Sequence, residues 1–370
     1  MLFALLLGVV TAALVGVGGY RLKQRLLKSR AQRRRRPPES AGTNGLAGSS
    51  GVAPAPAPAP ASAPAIAAVV GGTPPQAQAM ADRGTLGPYR IERTLGRGSM
   101  GMVYLAHDAH GVRATAVKTM AFGGELDPAD RAEARQRFFR EAATMGRLHH
   151  PDIVEVFDAG EDQGLAYIAM EFVPGHDLSR HTLVDQLLPV STVLRTMARV
   201  ALALAHAHAQ GVVHRDVKPA NVMFEPLSNT VKVTDFGIAS LASAFSTRTG
   251  LVLGTPSYMS PEQLTGARID RRSDLYALGV MLFQLLTGAL PHRSETMAEL
   301  LRQIVNAVAP DVRTLRPDLP EALAKLLIRA LEKQPDRRYA DGAQFAAELV
   351  LIADTMDPPA AGLALGTVTV

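Results

Sequence analysis

His214-Arg215-Asp216-Val217-Lys218-Pro219-Ala220-Asn221 is the stretch on which the reading of this chain turns. It places a carboxylate, a lysine and an amide within one short segment, directly after the helical pattern Thr192–Gln210. A second short segment, Asp235-Phe236-Gly237, follows the strand-like run Val231–Thr234. Either segment alone is a fallible signal. What carries information is their order relative to the features on both sides.

Upstream lies Leu95-Gly96-Arg97-Gly98-Ser99-Met100-Gly101-Met102-Val103. Three glycines at this spacing let backbone N–H groups approach phosphates without a Cβ in the way. The loop opens onto strand-like sequence and not onto a helix, which argues against a dinucleotide-binding βαβ unit. The next strand carries Ala116-Val117-Lys118. By itself that lysine reads as a surface charge. Glu141, in the charged helical pattern at 128–148, supplies a carboxylate that could hold it against phosphate oxygens. Downstream come Gly254-Thr255-Pro256-Ser257-Tyr258-Met259-Ser260-Pro261-Glu262-Gln263 and Asp274–Thr287. The latter run is apolar on nearly all sides, which predicts a buried central helix. Strand-like stretches at Tyr89–Leu95, Met102–Asp108, Ala114–Met120, Ile153–Asp158 and Ala166–Val173 precede a helical remainder. That order predicts an α+β, two-lobed architecture.

Taken together, these segments resemble the protein kinase family: Gly-rich loop, strand Lys, helix Glu, H-R-D-x-K-x-x-N, D-F-G, then Ser260-Pro261-Glu262. The flavour is similar to bacterial serine/threonine kinases of the eukaryotic type. The resemblance implies a protein-kinase fold over 87–355, with a small β-rich lobe at about 87–173 and a helical lobe at about 174–355. It implies Lys118 on the α- and β-phosphates of ATP and paired with Glu141. Asp216 would take the substrate hydroxyl's proton, and Lys218 would neutralise the γ-phosphate. Asn221 and Asp235 would hold Mg²⁺, with Mn²⁺ a possible substitute. Leu95, Gly96, Arg97, Gly98, Ser99, Met100, Gly101 and Val103 would cover the nucleotide. Ala116 and Met223 would sandwich the adenine with Val103. Met170 would be the gatekeeper, Glu171 would offer its carbonyl and Val173 its amide.

The same resemblance implies structural roles. Asp274 would accept hydrogen bonds from the catalytic-loop backbone, and Glu262 would pair with Arg338. Met145, Val156, His214 and Phe236 would form a stack joining the lobes. Thr247 or Thr249 would be autophosphorylated, which implies a transient homodimer. Arg215 would be the phosphate's partner, although Ser240 stands where many relatives carry a second basic residue. Thr255 would hydrogen-bond the catalytic Asp and Lys. His206 and His208 are read as plain packing or surface residues, and His149 and His150 as a turn without metal.

Composition limits the alternatives. The chain has 370 residues, 47% hydrophobic and 20% charged, with no cysteine. Wholesale disorder, disulfides, Cys-ligated zinc and thiol catalysis are thereby excluded. The net charge of +5 is local, because residues 1–36 hold nine of the 39 basic residues and no acid. The rest is mildly acidic, so no nucleic-acid partner is expected. Leu2–Tyr20 is an uncharged apolar run of about 28 Å as a helix, close to the hydrocarbon thickness. Its charges follow the run, unlike those of a cleaved signal peptide. Residues 1–20 therefore read as a transmembrane anchor, and 21–36 as a basic juxtamembrane segment. This predicts a single-pass protein of the inner (plasma) membrane with a cytoplasmic catalytic part. Residues 37–85, with alternating Ala and Pro at 53–60, read as an extended linker. Residues 356–370 are a tail without a readable motif. Two rival readings are a pseudokinase scaffold and a small-molecule kinase. Against the first, Lys118, Glu141, Asp216, Lys218, Asn221 and Asp235 are all present.

Overall fold

The structure, a computed structural model, describes residues 84–97, 101–111, 113–122, 127–236 and 256–357. The anchor, the juxtamembrane segment, Gly98–Met100, Gly237, Ser240, Thr247, Thr249 and Thr255 lie outside the described residues. Among the described residues no helix is long and apolar enough to cross a membrane.

The first lobe is an antiparallel six-stranded sheet in the order β1-β2-β3-β4-β6-β5. Its strands are β1 Thr85–Leu86, β2 Tyr89–Arg97, β3 Met102–His107, β4 Ala114–Ala121, β5 Val156–Asp162 and β6 Leu165–Glu171. Alternation along β4 and β6 separates two faces, as a period of two requires. Ala116 and Met120, with Ala166, Ile168 and Met170, enter the large core. Val117, Tyr167 and Ala169 join Leu86, Tyr89 and Tyr104 in a smaller cluster on the other face. Lys118 thus shares the inner face with Ala116 and Met120. Against that face lies α1, Pro128–Met145. Its Phe138, Ala142 and Met145 meet the large core at helical spacing.

The second lobe begins with β7 His176–Asp177 and α2 Val190–Ala209. A three-stranded sheet follows in the order β7-β8-β9, with β8 Val222–Glu225 and β9 Thr230–Val233. Then come α3 Pro261–Thr265, α4 Arg271–Thr287, α5 Met297–Asn306, α6 Glu321–Ala330 and α7 Gly342–Met356. In α4, 14 residues are buried, as its all-round apolarity predicts.

Several boundaries differ from expectation. Thr85 and Leu86 are already strand, paired with Arg90 and Tyr89, so the linker ends before 85. The strand expected from Ile153 starts at Val156, because Ile153 bridges Val233 in the other lobe. The helix expected from Asp274 begins at Arg271, capped by Asp270, whose side chain accepts from Arg272 N. Asp274 therefore sits in the first turn and not at the cap.

One glycine of the Gly-rich loop has a steric reason unrelated to phosphate. A Cβ on Gly101 would lie 1.8 Å from the Thr119 carbonyl oxygen, whereas one on Gly96 would meet nothing within 4 Å. Thr119 Oγ1 accepts from Met102 N at 3.2 Å and donates to Met102 O at 3.1 Å, locking β3 to β4 there. Gly101→Ala is expected to destabilise the first lobe by about 1–3 kcal/mol through forced backbone displacement. Thermal denaturation checks it; an unchanged melting temperature would contradict the packing argument.

Candidate active site

The loop that begins at His214 is pinned from several sides. Asp274 Oδ2 accepts from His214 N at 2.8 Å and Oδ1 from Arg215 N at 2.7 Å, as expected. His214 is fully buried. Its Nε2 lies 2.9 Å from Thr234 O, and its Nδ1 accepts from Asp216 N at 3.2 Å. These two contacts set the tautomer, with the proton on Nε2. The His214 and Phe236 rings are 4.6 Å apart. Met145, Val156 and Phe236 line one small cavity with Met170, the expected gatekeeper, so the residues of the expected stack lie together.

Asp216 is the centre of the loop's polar contacts. Lys218 Nζ donates to its Oδ2 at 2.6 Å. Asn221 Nδ2 donates to the Asp216 carbonyl at 2.7 Å and to Oδ2 at 3.1 Å. A carboxylate with an ammonium and an amide on one oxygen is held in place. Such a group can orient a hydroxyl and take its proton next to an anionic reactant.

Asp235 is the second centre. Its backbone is left-handed at φ +63°, as is that of Arg215 at +68°, two sparsely populated conformations at one site. Lys118 Nζ lies 2.7 Å from Asp235 Oδ2. The expected Lys118 partner was Glu141; the Asp235 carboxylate is a partner that sequence reasoning did not name. Burial pushes the Asp235 carboxyl up, and the adjacent Lys118 charge and hydrogen bond, with smaller help from His214 and Lys218, bring it below the usual aspartate range. Glu141 stays on the inner helix α1.

The strand register places several of the residues expected to cover the nucleotide. Val103 pairs with Lys118, and Ala116 pairs with Met170. Val173 is buried and Met223 packs against the same core. Leu95, Gly96 and Arg97 end β2, and Gly101 precedes β3. Lys232 was missed from sequence. Its Nζ donates to Glu171 Oε2 at 2.7 Å, tying β9 to the expected hinge.

A second correction concerns His208. Its side chain is buried, with Nε2 2.7 Å from Asp274 Oδ2. It therefore supports the carboxylate that holds the His214–Arg215 backbone and is not a plain packing residue. His206 does match its bland reading, with Nε2 on Gln210 and its ring beside His150. Among the described residues no cluster of three metal-ligating side chains occurs. Asp235 and Asn221 offer hard oxygen donors, a pair that suits Mg²⁺ completed by phosphate and water.

Residues 89–350 match the protein kinase domain. This chain belongs to the protein kinase family, in its bacterial serine/threonine branch. It is 38% identical over 264 residues to the serine/threonine-protein kinase PrkC of Bacillus subtilis, covering 71% of this chain and 40% of that one. It is 40% identical over 274 residues to the serine/threonine-protein kinase pkn3 of Myxococcus xanthus, covering 70% and 49%. The kinase domain of Mycobacterium tuberculosis PknI superposes with a TM-score of 0.58 at 34% identity, covering 72% of this chain and 97% of that one. The chain thus spans less than half the length of these two curated relatives.

Proposed function

We propose that the chain is a membrane-anchored protein kinase. It transfers the γ-phosphate of Mg·ATP to serine or threonine hydroxyls of proteins, with the catalytic lobes in the cytoplasm. The observation that carries the reading is the arrangement around two aspartates: Lys218 and Asn221 on Asp216, and Lys118 on Asp235. Relatives named as serine/threonine-protein kinases support it. Asp216 orients the acceptor hydroxyl and receives its proton. Lys218 offsets the charge that would otherwise set this carboxylate against the γ-phosphate. Lys118 holds the α- and β-phosphates. Asp235 and Asn221 hold Mg²⁺, which supplies charge neutralisation for the transferred group. Autophosphorylation at Thr247 or Thr249, through a transient homodimer, belongs to the same proposal. So does anchoring through 1–20, supported by the apolar run and the basic cluster after it.

Incubating the full chain with γ-labelled Mg·ATP, a generic protein and small hydroxyl compounds separates this from its rivals. Label in serine or threonine of the protein supports the proposal. Label confined to small compounds favours a small-molecule kinase, and nucleotide binding without transfer favours a scaffold. Deleting 1–36 should release soluble activity; a truncated form that still fractionates as an integral membrane protein would overturn the anchor.

A further inference from the structure

Arg215 carries the strained backbone immediately before Asp216, and something must hold both of its peptide groups. Asp274 takes the N–H on one side at 2.7 Å. On the other side the Arg215 carbonyl accepts from Gln263 Nε2 at 2.9 Å. That carbonyl belongs to the peptide unit whose nitrogen is Asp216 N, the donor to His214. Its orientation therefore sets where the Asp216 side chain begins. The other end of the Gln263 amide is also committed. Gln263 Oε1 accepts from Ser260 N at 2.9 Å and Ser260 Oγ at 3.0 Å, closing a capping box at the start of α3. α3 is itself fixed to the core through Glu262 and Arg338.

We propose that Gln263 is a positioning residue for phosphoryl transfer: its amide ties the anchored start of α3 to the Arg215–Asp216 peptide and so aims the base. This rests on the reading of Asp216 given above. The two ends of the amide have separable roles. The oxygen caps a helix, which is a stability function. The nitrogen holds the catalytic loop, which is a rate function.

Gln263→Glu and Gln263→Met separate them, measured in the full chain on samples matched for phosphorylation by mass spectrometry. Glutamate keeps the capping acceptor but turns an unprotonated oxygen towards the Arg215 carbonyl; methionine keeps the bulk and loses both contacts. Both variants are expected to lower kcat by about 10–100-fold, the scale of a small misplacement of a catalytic group. KM for ATP should be unchanged in both, because the nucleotide-contacting residues are untouched. Only Gln263→Met should lower the melting temperature. Wild-type kcat in Gln263→Glu would overturn the proposal and leave Gln263 a cap alone. Should either variant fail to fold, the other still reads the kcat and KM split. Asp216→Asn, run alongside, keeps the two ideas apart. An active Asp216→Asn removes the reading of the base, whereas an inactive Asp216→Asn beside a fully active Gln263→Glu removes only this inference.

Discussion

Arg338→Leu is expected to cost about 3–5 kcal/mol of stability, the scale of stranding one partner of a buried pair. Arg338 Nη1 and Nη2 donate to Glu262 Oε1 and Oε2 at 2.7 and 2.8 Å, a two-pronged contact. Both residues are buried. The same guanidinium donates to the carbonyls of Glu332, Lys333 and Arg272. Burial pushes the Glu262 carboxyl up, but Arg338, with help from Ser273, holds it below the usual range. The pair's contribution is therefore present above the ordinary glutamate range and is lost as pH falls through the depressed folded value. Leucine would leave Glu262 without a cation, its remaining side-chain partner being Ser273 Oγ at 2.6 Å. Adding Glu262→Gln to Arg338→Leu should recover part of the loss, since the uncompensated charge is gone. Urea denaturation at neutral pH checks both. A loss under about 1 kcal/mol for the single variant would mean the pair behaves like an exposed one.

Lys118→Met is expected to lower turnover by about 10²–10³-fold, the scale of removing one preorganised electrostatic contact. Two effects combine. The phosphates lose their cation, and Asp235 loses the charge that offsets its burial. The Asp235 carboxyl should then rise above the usual aspartate range. In the wild type the depressed value adds stability above that range, lost as pH falls through it. In Lys118→Met the sign reverses, so that low pH no longer penalises the fold at this site. Comparing acid denaturation of the two proteins reads the reversal, and steady-state assays read the turnover. Identical acid profiles would contradict the electrostatic account even if activity fell.

What could be read from the chain was what is local. Asp216, Lys218 and Asn221 lie within one short segment, and the structure brings all three side chains together. The strands around Lys118 were legible because one face is apolar on each side and the pleat forces alternation. The pairs that cross the molecule were harder. Glu262 with Arg338 was anticipated only through family resemblance. Lys118 with Asp235 was not anticipated, because the two are more than a hundred residues apart and only the fold brings them together. His208 has the pattern of any residue on a buried helix, and its partner lies on α4. Gln263 shows half its role in sequence, as the fourth residue of a Ser-x-x-Gln capping box, but its second contact needs the fold. Thr85 was placed in the linker because a two-residue strand, Thr85–Leu86, is too short for periodicity to register.

The most direct test of the account is the rate of labelled γ-phosphate transfer to a protein hydroxyl by Asp216→Asn against wild type, both as full chains. Asparagine keeps the size of the side chain and one oxygen, while removing the charge that Lys218 and Asn221 hold in place. The account predicts a fall of about 10²–10⁴-fold, the usual worth of a positioned general base. Melting temperature and ATP affinity should stay near wild type. Near-wild-type transfer by Asp216→Asn, in protein verified free of contaminating kinase, would contradict it.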